Sequence, residues 1–315
     1  MAKNRQDLAV EAVSNSFDAD VIAWFGDIRG IFDERLIYWG RGRRRRKNVL
    51  LFLQTLGGDP HAAYRIARYF QRRYKTASTG ASNPKEGSFI AFVPAVCKSA
   101  GTLLILGADR HFFMPTVELG PIDVQLRKPE EVGERTSGLT PIQAMNFLAA
   151  QSGSLFEEHF KHLRFSEELA FSTKMAADIA TTMTIGLLSP LYQQIDPIRL
   201  AEVQRQVRII SDYADRLDKA NLKTKTVERL LSQYPSHDFI IDRLEVEELF
   251  EKIEEPTPEL TELYYAYENW ADFYEAKKEP YSFWLSDEPP PPPSSATSAP
   301  AATAGTAPSM TRTTT

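Results

Sequence analysis

The sequence predicts an α/β fold, in which buried strands alternate with amphipathic helices. Two apolar runs of strand length, Asn48–Gln54 and Phe89–Val93, are each followed by small residues and then by a helical pattern. The helix expected after the first run covers Pro60–Tyr74 and repeats apolar residues at helical spacing through Phe70. The chain therefore twice makes a strand, a corner and a helix, which is the local pattern of α/β proteins.

The start of the chain supplies one more strand and helix of the same kind. Residues 1–17 are expected to form a helix or a loose N-terminal arm. The polarity of residues 20–28 alternates enough to predict a first strand, and the pattern of residues 30–39 predicts a short amphipathic helix. We therefore expect the folded domain to begin at about residue 18.

After the second corner the sequence changes from alternating strand and helix patterns to mainly helical patterns. Residues 111–114 read as a short strand that ends at Pro115. The helical region begins at Thr140, and we expect an interruption at Pro190 or Pro197. We expect a long helix over residues 155–188 before this interruption and helices over 198–221, 226–233 and 243–252 after it, with a last strand at residues 239–241.

A boundary is expected at Pro256–Pro258, where the domain ends. Residues 256–288 contain an aromatic-rich amphipathic helix at 259–278. The tail, residues 289–315, consists mainly of proline, serine, threonine and alanine. Such a composition cannot bury enough apolar surface to fold, so we expect the tail to be disordered.

Length and composition limit the class of protein. The 315 residues, 43% of them hydrophobic, suffice for one large domain or for two smaller ones. The net charge of −5 predicts no general attraction to nucleic acid. One cysteine, Cys97, excludes an internal disulfide framework and fits a reducing cytoplasm. No apolar run approaches the roughly 20 residues of a membrane span, and the N-terminus lacks the apolar core of a signal peptide, so we expect a cytoplasmic protein.

The corner after the second strand, Lys98–Thr102, reads KSAGT. Small residues there let one side chain stand exposed while backbone N–H groups point into the same space. The positive end of the following helix adds to these donors. Ser99 at such a corner has the surroundings of a nucleophile, and the alternative is a serine that only caps the helix.

The corner after the first strand, Thr55–Pro60, reads TLGGDP. Two adjacent glycines suit a tight turn with free N–H groups and allow close approach of the backbone. Gly57 and Gly58, together with the N–H of Ala100, are therefore candidate donors to an oxyanion, and the alternative is an ordinary turn.

These corners, with ELGPID at residues 118–123 and PSHDF at residues 235–239, resemble the serine dehydrogenase proteinase family. That family is related to signal peptide peptidase A and to the proteolytic subunit of Clp protease, within the crotonase-like superfamily. The resemblance covers residues 18–255 and is weak between residues 124 and 234. It implies a Clp protease/crotonase-like fold of repeated β-β-α units, with a large helical insertion at about residues 140–233.

The resemblance also implies an activity, that of a serine peptidase which acts on peptides or proteins without a cofactor. Ser99 would attack the peptide carbonyl, and the N–H groups of the diglycine loop and Ala100 would hold the oxyanion. Gly120 and Asp123, in ELGPID, would lie in the substrate groove. Relatives are usually oligomeric, so the resemblance implies a homo-oligomer.

The general base is left open by the sequence. The Clp subunit uses a histidine after its serine region, but here no histidine occurs between His111 and His159. Signal peptide peptidase relatives instead use a lysine made less basic by burial. We favour Lys174, which lies in an apolar helical segment. The other candidates are Lys128, Lys161 and His237.

Two other functions remain alternatives, and both are compatible with the same predicted fold. An acyl-CoA enzyme of the crotonase type would use the same two N–H donors on a thioester. An inactive oligomeric scaffold would keep the fold for assembly, and the missing histidine favours it. The sequence has no HExxH motif, no cysteine pair and no GxGxxG or GxxxxGK loop, so we expect no metal site and no nucleotide site.

Residues 41–47 read RGRRRRK, a dense basic run directly before the second strand. One interpretation is an anionic partner such as RNA, a phosphate group or an acidic chain. The other is a solvated loop, or charges that face a neighbouring subunit. We favour the second interpretation because the rest of the chain is acidic and no aromatic residues interleave with the run.

Overall fold

The computed structural model describes residues 3–41, 45–75, 87–122, 125–127, 135–137, 139–169, 171–217, 219–277 and 281–285. These residues form a mixed α/β protein with a central sheet. The strands are β1 Ala19–Phe25, β2 Asn48–Gln54, β3 Phe89–Val93, β4 Val96–Cys97, β5 Arg110–Phe113, β6 Glu118–Leu119, β7 Gln125–Arg127, β8 Arg135–Ser137 and β9 Tyr281–Trp284. The helices are α1 Arg5–Phe17, α2 Gly30–Gly40, α3 Pro60–Phe70, α4 Ala100–Ile105, α5 Leu139–Phe165, α6 Thr173–Tyr192, α7 Pro197–Arg216, α8 Thr226–Ser232, α9 Arg243–Leu249 and α10 Pro258–Lys277.

The central sheet has five strands in the order β5-β3-β2-β1-β9. The strands β1, β2, β3 and β5 run parallel, and β9 pairs antiparallel with β1. Every residue of β1 and β3 is buried, as expected for parallel strands that are covered on both faces. Because the strands are parallel, their carboxyl ends lie at one edge of the sheet, and the corners that follow β2 and β3 come together there.

Helices cover both faces of this sheet and give the protein three layers. One face packs under α3 and α4, in an apolar core that includes Trp24 and Ile66. The other face packs under α1 and α10, in a core that includes Phe52 and Leu263. Full burial of one such side chain stabilises the fold by about 1.5–3 kcal/mol, so these two cores hold the layers together.

A short second sheet extends the structure beyond the carboxyl ends of the main strands. In it β4 pairs parallel with β6. Leu119 of β6 also exchanges two backbone hydrogen bonds with Ile241, at 3.0 and 2.9 Å. The chain that follows PSHDF is therefore fixed directly beside the ELGPID turn.

The helices between residues 139 and 232 fall into two groups. Helices α7 and α8 join the main core through Ile210 and Leu230. Helices α5 and α6 instead pack on each other around a separate small core of Leu163, Ala176 and Ala180. None of the helices within the described ranges is both long and apolar enough to cross a membrane.

Several elements differ from the sequence-based expectation. The single helical region expected at residues 155–188 is two helices, because Ser172 caps a new helix at Thr173. Residues 239–241 form no strand, and one bridge joins Ile241 to Leu119 instead. A π-helix, Gln71–Lys75, continues α3 where the sequence predicts ordinary helix. The predicted disordered tail, residues 289–315, lies outside the described residues.

Candidate active site

Ser99 lies at the corner between β4 and α4, in a backbone conformation that serine rarely adopts. Its φ is 52° and its ψ is −114°. Its side chain makes no capping hydrogen bond to α4, so capping is not what holds it in this conformation. Strain of this kind costs about 1–3 kcal/mol, persists only where the surroundings impose it, and is concentrated at functional sites. Ser99 is half-buried, so it is not enclosed in the core.

The diglycine loop after β2 packs directly against Ser99. A methyl group added to Gly57 would lie 2.8 Å from Ser99 Cβ and 3.4 Å from its Oγ. Two backbone hydrogen bonds fix the loop there, from Thr55 N–H to Val96 O at 2.9 Å and from Lys98 N–H to Thr55 O at 3.0 Å. Position 57 requires glycine for two reasons, since there is no room for a Cβ and φ is +118°.

The diglycine loop has one N–H group that is used and one that is available. Gly57 N–H donates to Thr55 Oγ1 at 3.0 Å, so it is already bonded. Ile28 N–H donates to Gly57 O at 2.7 Å, and because the peptide is trans, Gly58 N–H points away from Ile28. Gly58 N–H has no acceptor in the part of the chain that the structure describes.

A second available N–H group comes from the Ser99 corner itself. Ser99 O accepts from Leu103 N–H at 3.1 Å, so the peptide between Ser99 and Ala100 points its N–H out of the start of α4. Among the described residues, none accepts from Ala100 N–H. The geometry therefore leaves Gly58 and Ala100 as the available donors, whereas Gly57 contributes space beside Ser99.

Thr55 is a residue of this site that the sequence does not single out. Its side chain is fully buried, and its hydroxyl accepts from Gly57 N–H and contacts Gly57 O at 3.2 Å. It thereby holds the first glycine in its left-handed conformation. Threonine is common at the end of a strand, so no signal in the sequence marks this role.

The loop is braced from behind by the segment that follows β1. Asp59 N–H donates to Ile28 O at 2.8 Å, and a Cβ at Gly58 would lie 2.2 Å from the same oxygen. Asp59 also caps α3, because its carboxylate accepts from His61 N–H at 2.8 Å. The loop is therefore held by Ile28 on one side and by the start of α3 on the other.

The ELGPID turn also packs against the Ser99 corner. Gly120 N–H donates to Cys97 O at 3.1 Å, and Gly120 O accepts from Thr102 Oγ1 at 2.7 Å. A Cβ at Gly120 would lie 2.7 Å from Lys98 Cγ. Gly120 thus uses both backbone polar groups within the protein and leaves space beside Lys98. Asp123, which the sequence places in the same groove, lies outside the described residues.

Cys97 does not compete with Ser99 as a nucleophile. Its side chain is fully buried, and burial raises the pKa of the thiol. The thiolate is the reactive form of cysteine, so a thiol that stays protonated in an apolar core is inert.

Two of the lysine candidates for the base lie at the surface of the described structure. Lys174 is exposed near the start of α6, where the sequence predicts a buried amine. An exposed amine in the single chain lacks the buried environment expected of a lysine base. Lys161 is exposed as well, and its Nζ lies 2.5 Å from Glu157. Lys128 lies outside the described residues.

Two further titratable groups lie on segments that adjoin the corner. His237 lies four residues before Ile241, which pairs with Leu119, and its Nδ1 lies 2.9 Å from an Asp238 oxygen. Lys98 is next to Ser99 in the chain, and its side chain is only 13% exposed. Its Nζ lies 4.0 Å from Glu118 Oε2, and its side chain is less exposed than those of Lys161 and Lys174.

No protein-family model matches the chain, and no curated protein matches it either. Among solved structures, a serine-to-alanine mutant of the 1510-N membrane-bound stomatin-specific protease is 16% identical, with a TM-score of 0.28 over 52% of this chain and 69% of that one. A lysine-to-alanine mutant of that protease, in complex with a substrate peptide, is 18% identical, with a TM-score of 0.29 over 52% of this chain and 65% of that one. TM-scores this low do not establish a shared fold.

Proposed function

We propose that the protein is a serine peptidase with Ser99 as its nucleophile. The observation that carries this proposal is the contact between the diglycine loop and Ser99 in its strained conformation. In the proposed site, the N–H groups of Gly58 and Ala100 face the same small space as the Ser99 hydroxyl. A hydroxyl beside two preorganised donors is what acyl transfer requires. The peptide substrate is supported by the resemblance of TLGGDP, KSAGT and ELGPID to a peptidase family.

The reaction proceeds through an acyl-enzyme. Ser99 Oγ attacks the carbonyl carbon of the substrate while a base takes the hydroxyl proton. The carbonyl oxygen becomes an oxyanion that accepts from Gly58 N–H and Ala100 N–H, and losing one such donor costs about 2.7–4 kcal/mol. The C–N bond then breaks, and the protonated base returns the proton to the leaving amine. Water hydrolyses the ester by the same steps, and no cofactor takes part.

A lysine base completes the proposal. Lys174 is exposed in the single chain, so it would act as a base only where a second copy buries it, because burial lowers a lysine pKa. Activity of Lys174→Ala is compared with that of Lys161→Ala, which removes another candidate base, an exposed lysine on α5, and with that of Lys252→Ala, an exposed lysine that is not a candidate. A loss confined to Lys174→Ala supports this base. Full activity of the Lys174 and Lys161 variants moves the role to Lys128 or His237, which are tested in the same way.

We further propose that the protein forms a homo-oligomer through the α5–α6 pair. These helices expose large apolar side chains, including Phe165 at 70%, Ile185 at 61% and Leu187 at 56%. From Ile179 to Tyr192 the sequence of α6 has no charged residue. An uncharged apolar face fits the same face of a second copy, because a two-fold contact then sets no like charges against each other.

Sedimentation of the wild type and of Ile185→Glu/Leu187→Glu tests this assembly. The wild type is expected to sediment as an oligomer and the double variant as a monomer, since charge on both copies of the face opposes contact. A wild type that stays monomeric at micromolar concentration, or a double variant with unchanged mass, contradicts the proposal.

Hydrolysis of a fluorescently labelled protein tests the peptidase activity itself. The wild type is expected to cleave it and Ser99→Ala is not. Binding of acyl-CoA with no cleavage of protein or peptide would favour the crotonase-type enzyme instead. Cleavage by both the wild type and Ser99→Ala would exclude Ser99 as the nucleophile.

A further inference from the structure

Helix α2 carries apolar and aromatic side chains on its outer side. Ile31 is 68% exposed, and Tyr38, two turns later, is 66% exposed. Phe32 and Trp39 are half-buried and form a second row beside them. Residues seven positions apart share one side of a helix and lie about 10.5 Å apart along its axis, so the four side chains make two parallel rows. We name these four residues the α2 apolar face.

An arginine between the two rows fixes the aromatic one. The guanidinium of Arg35 lies 5.7 Å from the centre of the Phe32 ring and 5.1 Å from the centre of the Trp39 ring. Both distances are within the range of a cation–π contact, which restrains the two rings relative to each other. The α2 apolar face is therefore a set of rings held in fixed positions on a helix.

Strand β9 supports this helix from below. Trp284 is buried, and its Nε1–H donates to Leu36 O at 3.2 Å. A Cβ at Gly40 would lie 2.4 Å from Trp284 Cζ2, so the ring packs directly against the last turn of α2. The end of β9 and the end of α2 are therefore in contact.

The direction of β9 brings the chain out beside the α2 apolar face. Along β1, the antiparallel strand β9 runs from opposite Phe25 to opposite Ile22, so the chain leaves the sheet at the amino end of β1. Helix α2 runs back from the carboxyl end of β1 towards the start of β2, which pairs with β1 in parallel. Its last turn, with Tyr38 and Trp39, thus lies at the end of the sheet where the chain emerges.

The sequence that follows β9 contains five consecutive prolines, residues 289–293, which lie outside the described residues. Three residues separate this run from Leu285, the last residue of the described part. Four steps of the chain reach at most about 14 Å, and a helix with its side chains is about 10–12 Å wide, so the run can reach the outer side of α2. Consecutive prolines favour the polyproline II helix without any partner, because each ring fixes φ. Docking such a run therefore costs little conformational entropy.

We propose that the proline run, residues 289–293, docks on the α2 apolar face of its own chain. In a polyproline II helix every third residue shares one side, about 9.3 Å apart, which is close to the spacing of about 10.5 Å between Ile31 and Tyr38. Surfaces lined by aromatic rings bind proline-rich segments in this conformation. The short tether holds the run near the face at an effective concentration of about 1 mM, which favours the chain's own run over that of a second copy. The proposal rests on α2 and β9 and does not depend on the proposed peptidase activity.

Hydrogen exchange of the α2 backbone amides, measured by mass spectrometry on the full chain, tests the docking. The comparison protein carries serine at all five positions from 289 to 293. A run held at about 1 mM that binds with a Kd of about 0.1 mM is expected to slow exchange in α2 about tenfold relative to the serine variant. Exchange in α10, which covers the opposite face of the sheet, is expected to be the same in both proteins. A synthetic peptide of residues 286–295, added at about 1 mM, should restore slow exchange to the serine variant.

Substitution of one exposed ring tests the place of docking. Tyr38→Ala is expected to abolish the difference between the proline and serine tails. The matched control is Tyr265→Ala on α10, where the ring is 49% exposed, and it should leave the difference about tenfold. Each variant is compared with itself carrying the other tail, so a direct effect of the substitution on α2 cancels. Equal exchange of α2 with the two tails in the otherwise wild-type chain overturns the proposal, and so does a difference that survives Tyr38→Ala.

A disulfide identifies which chain supplies the run. Cysteines introduced by Ile31→Cys and Ser294→Cys leave Tyr38 and all five prolines in place, and Cys97 is fully buried. On oxidation we expect a bond within one chain that forms at least about threefold faster with the proline tail than with the serine tail. A bond that joins two chains overturns docking within one chain and assigns the face to the tail of a second copy. Equal rates with the two tails also overturn the proposal, because reach alone would then explain the bond.

Discussion

Gly57 packs against Ser99 so closely that a single added methyl group would lie 2.8 Å from the serine Cβ. The two residues come from corners that follow different strands, β2 and β3–β4, and parallel pairing of β2 with β3 brings those corners to one edge. Each corner alone is an ordinary combination of small residues. Their contact turns them into one site with a strained serine and two available N–H groups.

Substitution Gly57→Ala is expected to abolish most of the activity. The new Cβ would meet Ser99 Cβ and Lys98 O, and φ of +118° is unfavourable for alanine. A displacement of about 1 Å at the reacting groups costs on the order of a hundredfold in rate. The matched control is Gly153→Ala, where nothing lies within 4 Å of the added Cβ. Steady-state kinetics that show equal activity for both variants would contradict the site.

Two substitutions of Thr55 are expected to distinguish the role of its hydroxyl group from the role of its side-chain volume. Thr55→Val keeps the volume but leaves Gly57 N–H without its acceptor, which destabilises the protein by about 1–3 kcal/mol and lowers kcat. Thr55→Ser restores the hydroxyl and is expected to recover kcat. Kinetics together with urea unfolding test this, and a valine variant as active as the serine variant would show that Thr55 does not position the loop.

Protonation of His111 is expected to destabilise the protein at low pH. The ring is fully buried, its Nε2–H donates to Ile105 O at 2.8 Å, and Asn221 donates to its Nδ1 at 2.9 Å. Burial lowers the pKa of His111 to about 4. In the unfolded chain the pKa is about 6.5, so between these values only the unfolded state binds the proton.

The free energy of unfolding should therefore be highest above pH of about 6.5 and fall by up to about 3 kcal/mol towards pH 4. His111→Gln has no titrating group there, so its stability should fall less over the same range, although it starts lower. Denaturant unfolding at several pH values measures both. Parallel falls in the two proteins would assign the pH dependence to other groups.

Loss of Arg65 is expected to weaken the support of α3. Asp33 is fully buried, and Arg65 Nε donates to its Oδ2 at 2.5 Å. Arg65→Met leaves that carboxylate without its charged partner and should cost about 1–3 kcal/mol, less than for a fully buried pair because the Arg65 side chain is 43% exposed. The double variant Arg65→Met/Asp33→Leu should recover stability, and a double variant less stable than the single one would contradict this reasoning.

The sequence predicts the local features of the site but not how they are connected. The bounds of β2 and β3 follow from apolar runs between glycine, proline and polar residues, and the corners that carry Ser99 and the diglycine follow from small residues. Which N–H groups are used depends on a hydrogen bond that Gly57 accepts from Ile28 and one that it donates to Thr55, and no local pattern contains these. The pairing of strands across the sheet determines which segments meet to form these hydrogen bonds.

The environment of the candidate base was beyond the sequence for a related reason. Lys174 lies in an apolar segment, but its side chain is exposed. The packing of α6 on α5 determines which residues of α6 are buried, and the sequence alone does not show that packing. Burial and proximity of this kind follow from tertiary packing alone.

The most direct test of the central claim is labelling by a fluorophosphonate probe, which reacts with activated serines. The wild-type protein, at a concentration that preserves its assembly, is expected to gain one label on the peptide that contains Ser99, and Ser99→Ala is expected to gain none. Gly57→Ala should be labelled on the order of a hundredfold more slowly. A wild type that remains unlabelled in every assembly state, or a label that persists in Ser99→Ala, would contradict the account.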